Sequence, residues 1–129
     1  MVLSRTSPPP SSVTINGQSF QVELADTEPK RTVGLMFRKE LPERTGMLFI
    51  FDKADLYPFW MQNTYISLDI IYLDEQKRII NVCTMPPLTE STCRPDRPAR
   101  YVLELSAGSA KQYNLEPGQQ AEFRLSGGR

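Results

Sequence analysis

The alternation of hydrophobic and polar side chains predicts a chain of short β-strands. Apolar residues alternate with polar ones in residues 19–24, and two further β-rich runs, residues 68–73 and 78–84, flank a polar turn. A period of two is typical of strands with one buried face. An Asn-Gly pair at residues 16–17 joins the first run to residues 13–15, and this pair is the strongest short signal for a hairpin. The pattern therefore predicts two β-hairpins.

Continuous apolar runs complete the predicted sheet. Residues 46–51 are apolar throughout, which indicates a strand buried on both faces. Residues 101–105 and 120–125 predict two later strands, whereas residues 86–98 hold four prolines and predict a long excursion over the surface. Because strands do not alternate with helices, the pattern favours a mainly β sandwich or barrel of short strands.

Two helices interrupt the strands. Asp26 or Thr27 is suited to cap the first helix, because an acid and a proline follow in the next turn. This helix is predicted to reach about Arg38, but Gly34 lies inside it and indicates either close packing or an early end. Residues 106–114 permit one short helix near the C-terminus. The helices are therefore predicted to be minor elements.

The length of 129 residues predicts one domain with one core. Residues 1–12 are rich in Pro and Ser and lack an apolar signal region, so they are predicted to form a disordered tail. A tail of this kind is also what remains when an upstream signal peptide or anchor has been removed, which leaves an extracytoplasmic or a cytoplasmic location open. The predicted β domain covers residues 13–126, and residues 127–129 are predicted to be flexible.

The balance of charge disfavours nucleic acid and anionic membranes as partners. Fifteen Lys and Arg oppose fifteen Asp and Glu, so no net field attracts a polyanion. The basic residues are scattered without an aromatic stripe, which also argues against RNA binding. No apolar stretch approaches the roughly 20 residues that a membrane-spanning helix needs. A small ligand or a protein segment is the partner that remains.

The chain contains no histidine. Its absence removes Ser-His-Asp and Cys-His nucleophile systems, histidine metal sites and a histidine general base. The common glycine-rich nucleotide signatures and the esterase signature are also missing. We therefore predict no cofactor, no metal and no identifiable catalytic residue.

The strongest candidate for ligand binding is the segment around Trp60, the only tryptophan. In an extended segment Trp60, Gln62 and Thr64 share one face, and Asn63 lies on the other. An aromatic surface beside amide and hydroxyl groups suits a sugar or a peptide. The alternative is that Trp60 packs in the core while Asn63 serves a tight turn.

Four charged residues form a second group of candidates. Arg31 and Arg38 are seven residues apart and share a face if the helix persists, while Asp69 and Glu104 interrupt apolar strands. A charge among core residues must be paired or solvated. Structural ion pairs between helix and sheet would satisfy this need. Alternatively, an arginine would hold a ligand carboxylate or phosphate in a polar cavity, or the two carboxyls would perform acid and base catalysis.

Four blocks in order resemble the domain of unknown function 192 family, also called uncharacterised protein family 0127. They are Arg-Thr-Val-Gly-Leu-Met-Phe-Arg at residues 31–38, Gly-Met-Leu-Phe-Ile-Phe at 46–51, Phe-Trp-Met-Gln-Asn-Thr at 59–64 with Leu-Asp at 68–69, and Tyr-Val-Leu-Glu-Leu-Ser-Ala-Gly at 101–108. The resemblance implies a small jelly-roll-like β domain that is often exported or membrane-anchored in bacteria and archaea. It implies no activity. Gln62 and Gln119 depart from the family pattern, which often has lysine and aspartate there.

The resemblance also implies a cysteine pair near the proline-rich excursion. Cys83 and Cys93 are the two cysteines of the chain, although Leu88 stands where the family leads us to expect one. A disulfide between them would indicate an oxidising compartment. The alternative is two unpaired thiols with Cys83 buried in a strand.

These observations predict a non-enzymatic ligand-binding or accessory domain that acts outside the cytoplasm. Its ligand would be a glycan, a peptide or a partner segment at residues 60–64. One alternative is a carboxylate-dependent hydrolase or lyase that uses Asp69 and Glu104 with help from Arg38. Another is a structural or assembly protein that contacts partners through an exposed strand edge or residues 86–98.

Overall fold

The fold, a computed structural model described for residues 10–126, consists of seven strands and two short helices. In chain order the elements are β1 (Ser12–Ile15), β2 (Gln18–Ala25), α1 (Glu28–Val33), β3 (Thr45–Asp55), β4 (Leu68–Leu73), β5 (Ile79–Met85), β6 (Ala99–Ser106), α2 (Ser109–Gln112) and β7 (Ala121–Arg124). The prediction of a mainly β protein with one helix in each half is confirmed. Residues 1–9 and 127–129, most of the predicted tail and end, lie outside the described residues.

The seven strands form one sheet in the order β5-β4-β6-β3-β2-β1-β7. Neighbouring strands are antiparallel except β2 and β3, which run parallel. The sheet curls into a half-barrel, and its two ends meet where Arg78 forms a bridge with Gln120 and the Ala121 N–H donates to the Lys77 carbonyl at 2.8 Å. The jelly-roll-like part of the prediction stays a prediction.

Both predicted hairpins are present. Asn16 and Gly17 link β1 to β2 with φ values of 53° and 73°, the left-handed pair that the tight hairpin turn requires. In the second hairpin the Asp74 carboxylate accepts hydrogen bonds from the backbone N–H groups of Gln76 and Arg78, both at 2.9 Å. Local side-chain chemistry therefore fixes both turns.

The first helix is shorter than predicted. Thr27 caps it by accepting a hydrogen bond from the Lys30 N–H at 3.3 Å, and it ends at Gly34. The φ of Gly34 is 50°, and a Cβ there would lie 3.2 Å from the Phe49 ring. The prediction that Gly34 ends the helix early is confirmed, and the predicted extension to Arg38 was wrong. The non-helical backbone conformation at Gly34 ends the helix, and glycine adopts it more readily than a residue with a side chain.

The fold begins slightly before the predicted boundary at residue 13. Ser12 opens β1, and Ser11 is buried. The Ser11 hydroxyl accepts a hydrogen bond from the Ser126 N–H at 3.0 Å, which joins the two ends of the described chain. Ser12, assigned from composition to the tail, therefore belongs to the sheet, and Ser11 is held beside it by a hydrogen bond from the Val22 N–H at 2.9 Å.

The two faces of the sheet carry separate hydrophobic clusters. One cluster lies inside the curl and is centred on Phe20, Leu48 and Leu103, with α2 packed nearby. The other lies on the opposite face, where Leu35 and Met61 cover Phe49. β3 contributes to both clusters, so burial on both faces holds for residues 46–49, whereas Ile50 and Phe51 are only partly buried. The candidate site is associated with the second cluster.

Candidate functional site

A cavity of about 320 Å³ opens on the sheet face that α1 covers; we call it the first cavity. Its walls come from α1 and the residues after it, from β3, and from residues 57–64. Most of the lining side chains are apolar or aromatic, including Leu35, Phe49, Phe51, Tyr57 and Phe59. Concave, largely apolar sites of this size with a few polar groups are typical of small-ligand sites.

The Glu104 carboxyl is the buried polar group of the first cavity. Glu104 lies on β6 opposite Met47 of β3 and Ile70 of β4, and it is 4% exposed. Within residues 10–126 no group forms a hydrogen bond or ion pair with this carboxyl, which faces the first cavity. Among the described residues no side-chain oxygen or nitrogen is both fully buried and unpaired, so the carboxyl oxygens remain in contact with the space of the cavity. Water or a ligand in that space is the partner available to them.

Burial controls the ionisation of this carboxyl. Desolvation raises the pKa of Glu104 to about 8, because the apolar surroundings disfavour the charged form. Glu104 is therefore mostly protonated at neutral pH, and it becomes charged only in mild alkali. Burial, followed by the influence of Glu104, also raises the pKa of the neighbouring Tyr72 hydroxyl, which donates to the Cys93 carbonyl at 3.0 Å.

Trp60 stands at the mouth of the first cavity, and its side chain is 57% exposed. The alternative that Trp60 packs in the core is therefore wrong. Trp60 and Gln62 also line a second cavity of about 400 Å³, whose other wall includes Leu88, Thr89 and Glu90 of the proline-rich loop. The Trp60 side chain thus separates two concave surfaces and is accessible from both.

The segment is not extended, as the predicted alternation assumed, because the Thr64 N–H donates to the Met61 carbonyl at 3.1 Å and closes a turn. Gln62 and Thr64 line the first cavity together with Trp60, whereas Asn63 lines only the second. Asn63 has a φ of 54°, and its carbonyl accepts a hydrogen bond from the Phe37 N–H at 2.8 Å. Asn63 thus has the turn role that the sequence offered as an alternative, although it also borders a cavity.

The two arginines that were predicted to share a helix face are separated. Arg31 lines the first cavity, where Nη1 donates to the Ile50 carbonyl at 2.8 Å and the guanidinium lies 5.2 Å from the Phe51 ring centroid. Arg38 lies beyond the helix and forms a bidentate pair with Glu23 at 2.7 and 2.8 Å. Arg38 is therefore a surface ion-pair residue, linking the segment after α1 to β2.

Asp69 and Glu104 lie on opposite faces of the sheet, so they do not form a catalytic pair. Asp69 accepts hydrogen bonds from the Thr84 hydroxyl at 2.6 Å and from the Gly108 and Ala110 N–H groups at 3.1 and 2.9 Å. These bonds attach the start of α2 to β4. The structural interpretation of Asp69 fits this geometry, with backbone donors in place of an arginine.

Cys83 and Cys93 form a disulfide, so the alternative of free thiols is wrong. The bond joins β5 to the proline-rich loop, and reciprocal backbone hydrogen bonds of 2.9 and 2.8 Å link Cys93 to Phe59. The loop is thereby held beside the segment that carries Trp60. The disulfide and these hydrogen bonds therefore position the loop residues that form one wall of the second cavity.

The aromatic walls of the first cavity were not predicted. Five of the twelve aromatic residues of the chain fall within residues 49–60, and all five line this cavity. This concentration of aromatic residues was the sequence signal that could have predicted the aromatic walls. The sequence did not show that β3 and the loop after it fold onto one surface, because their contact depends on tertiary packing.

The fold and site together define a small half-barrel β domain with a ligand-sized cavity and a buried acidic floor. The family model for DUF192, described as Uncharacterized ACR, matches residues 11–123. The chain therefore belongs to this family, whose members are also called UPF0127 proteins. A UPF0127 protein of Pyrococcus abyssi is 31% identical over 108 residues, which cover 80% of this chain and 86% of the relative.

Two solved structures share the fold. A protein of unknown function from Novosphingobium aromaticivorans is 36% identical, with a TM-score of 0.82 and coverage of 89% of this chain and 84% of that one. A Sinorhizobium meliloti protein, provisionally named a transcription regulator, is 31% identical, with a TM-score of 0.83 and coverage of 93% and 98%. Neither similarity assigns a ligand to this chain.

No helix in the part of the chain that the structure describes has the length and apolar character needed to span a membrane.

Proposed function

We propose that this protein is a ligand-binding domain that acts outside the cytoplasm and holds its ligand in the first cavity beneath Trp60. The observation that carries the proposal is the Glu104 carboxyl, buried without a hydrogen-bond or ion-pair partner in a cavity whose lining is mostly apolar and aromatic. A ligand group that bonded to this carboxyl would compensate for its burial.

Trp60 supports binding because a large exposed aromatic side chain at the mouth of a cavity provides a surface for stacking. Gln62 and Thr64 add an amide and a hydroxyl on the same side. The ligand classes that fit are a glycan, an aromatic peptide side chain or a segment of a partner protein. The second cavity would accommodate the continuation of a longer ligand.

The disulfide supports a location outside the cytoplasm. Disulfides persist in oxidising compartments and are rare in the cytosol of most organisms. Alkylation of intact cells followed by mass spectrometry would test this part directly. Oxidised Cys83 and Cys93 would support it, and two alkylated thiols would contradict it.

A panel of mono- and disaccharides and of short peptides with aromatic residues would test binding. Because Trp60 is the only tryptophan, intrinsic fluorescence reports on the cavity mouth without labelling. We expect at least one class to shift the emission and to raise the melting temperature by mass action.

Matched variants separate binding in the cavity from adhesion to any exposed ring. Trp60→Ala should abolish the rise in melting temperature. Phe37→Ala removes another exposed aromatic residue, one that lines neither cavity, and should leave it unchanged. No response from any panel member, or an equal response in Trp60→Ala, would contradict the proposal.

The other two hypotheses receive less support. A carboxylate-dependent hydrolase or lyase would use Asp69 and Glu104 together, but the sheet separates them. An assembly role would use exposed apolar residues such as Phe37, Leu56 and Leu88, but these are individual side chains around the cavities. We also do not extend the regulator name of the S. meliloti protein to this chain, because its balanced charge provides no general attraction for DNA.

A further inference from the structure

We propose that the group held in the first cavity is an ammonium cation, bound by the Glu104 carboxylate and by the surrounding aromatic rings. The inference rests on the proposed function and specifies the chemistry of its ligand. It covers any ligand that presents a methylated or primary ammonium group, and it concerns the part of the ligand that enters the cavity.

The floor of the first cavity is formed by the buried Glu104 carboxyl. Glu104 forms no hydrogen bond or ion pair among residues 10–126, although Arg31 lines the same cavity, and Glu104 faces that cavity. Asp74, by comparison, is also buried but receives two backbone N–H groups and Arg97. Glu104 is thus a buried acid whose counter-ion is not supplied by the described chain.

Aromatic side chains form much of the wall of the first cavity. Five aromatic side chains line the same cavity: Phe49, Phe51, Tyr57, Phe59 and Trp60. Aromatic rings around a carboxylate form the environment that recognises ammonium groups, because the ring faces attract a positive charge. The Arg31 guanidinium lies over the Phe51 ring and shows this attraction within the cavity itself. Because Tyr57 also stacks on Phe51, with the ring centroids 3.7 Å apart, a ligand cation would meet the other rings.

Other charged and titratable groups also lie at the first cavity. Glu28 and Arg31 of α1 and Tyr57 of the adjoining loop line the cavity. The Tyr57 hydroxyl donates to the Lys53 carbonyl at 2.7 Å, and the Tyr72 hydroxyl is likewise engaged with backbone carbonyls. Arg31 opposes a cation, but its guanidinium is held by the Ile50 carbonyl and the Phe51 ring. Glu28 offsets the charge of Arg31 at the rim. The floor therefore has a net preference for a cation.

Binding of the cation releases one proton. The Glu104 carboxylic acid ionises, its proton passes to solvent, and the carboxylate pairs with the ammonium group. Because the pKa of free Glu104 is raised to about 8, affinity for a permanent cation should rise with pH. Between pH 6 and pH 9 the increase should be about 100-fold, with most of it below pH 8.

The experiment compares choline with 3,3-dimethylbutan-1-ol, its uncharged counterpart of nearly equal shape. Both are titrated into the oxidised full chain at pH 6, 7, 8 and 9 at constant ionic strength, and Trp60 fluorescence is recorded. We expect saturable choline binding that strengthens with pH, and at least about tenfold weaker binding of the alcohol, because the charged pair is desolvated.

Two variants identify the residues responsible. Glu104→Gln preserves the shape of the side chain and should remove both choline binding and its pH dependence. Arg31→Gln removes the opposing charge and should strengthen choline binding by about two- to fivefold, the size of a partly screened charge interaction. Circular dichroism and the melting temperature check that both variants fold.

Three results would overturn the inference. Equal affinity for the alcohol and for choline would show that the cavity recognises apolar shape alone. Binding of acetate that is abolished by Arg31→Gln would show that Arg31, and not Glu104, contacts the ligand. Absence of any choline response would exclude the ammonium group. In each case the glycan and peptide panel still reports separately on the proposed function.

Discussion

At the scale of single residues, two buried acids on adjacent strands have opposite environments. Asp69 accepts three hydrogen bonds, whereas Glu104 accepts none from the described chain. The sequence identified both because each interrupts an apolar strand. It did not show that β4 and β6 pair Ile70 with Glu104 and Leu105 with Asp69, a register that places the acids on opposite faces.

Glu104→Gln should make the protein more stable in alkali. The pKa of Glu104 is raised from 4.5 to about 8 in the folded state, so the unfolded chain ionises first as the pH rises. The stability of the native protein should therefore fall between about pH 4.5 and pH 8, while the variant lacks this loss. Urea unfolding of both proteins across this range measures the difference.

The sign of that comparison is specific. Below pH 4.5 the carboxyl is protonated in both states, so the two proteins should differ by a constant amount. The advantage of Glu104→Gln should then grow by up to about 1.4 kcal/mol per pH unit and level off above pH 8. A difference that does not vary with pH would show that Glu104 is solvated.

Asp69→Asn should destabilise the fold without affecting the first cavity. The neutral amide keeps one acceptor oxygen and loses the charge that strengthens all three hydrogen bonds, so we expect a loss of about 1–3 kcal/mol in the free energy of unfolding. Asp52→Asn, at an exposed position of β3, is the matched control and should change it by less than about 0.5 kcal/mol. Equal effects of the two substitutions would contradict the structural role of Asp69.

At the scale of elements, the approach of β3 to β6 determines where the floor of the cavity lies. Gly46 pairs with Leu105, and a Cβ on Gly46 would overlap the backbone carbonyl oxygen of Glu104. The sequence predicted both strands from their apolar runs. It did not predict their pairing, because residues 46–51 are separated from residues 101–105 by the second hairpin and the proline-rich loop.

Gly46→Ala should therefore be strongly destabilising. The added methyl group meets backbone that cannot move without breaking the β3–β6 ladder, so we expect a loss of at least about 3 kcal/mol. Gly17→Ala is the comparison, since a Cβ there meets nothing within 4 Å and only the positive φ of 73° opposes it. That substitution should cost about 1–2 kcal/mol. Thermal unfolding of both variants measures the contrast, and a reversed order would contradict the strand pairing.

The proline-rich loop depends on its disulfide. Replacing Cys83 and Cys93 together with alanine should reduce stability by about 2–4 kcal/mol, because the unfolded chain regains the entropy that the bond removes. It should also speed cleavage of the loop after the exposed Glu90 by endoproteinase Glu-C, although the Asn81 side chain still holds the loop backbone at 3.0 Å. Tris(2-carboxyethyl)phosphine should mimic these effects in the native protein and have none in the double variant. Equal rates of cleavage after Glu90 in the oxidised and the reduced protein would contradict this dependence.

At the scale of the whole molecule, the curl of one sheet produces two different surfaces. The inner surface is closed by α2 and by the contact between residues 77–79 and 118–121. Among residues 10–126, α1 and loops alone cover the outer surface, and the first and second cavities lie on either side of Trp60. Short strands and hairpins were predictable from local patterns. The single sheet, its parallel β2–β3 pair and its closure were not, because they join residues far apart in sequence.

The most direct measurement is an NMR titration of the Glu104 side-chain carboxyl carbon in the oxidised protein without added ligand. The account predicts a pKa near 8, because the carboxyl is buried in the first cavity without a partner. Loss of the titrating signal in Glu104→Gln would assign it. A pKa near 4.5 would contradict the account, since it would mean that the carboxyl is solvated or already paired and that the cavity has no unsatisfied group for a ligand to meet.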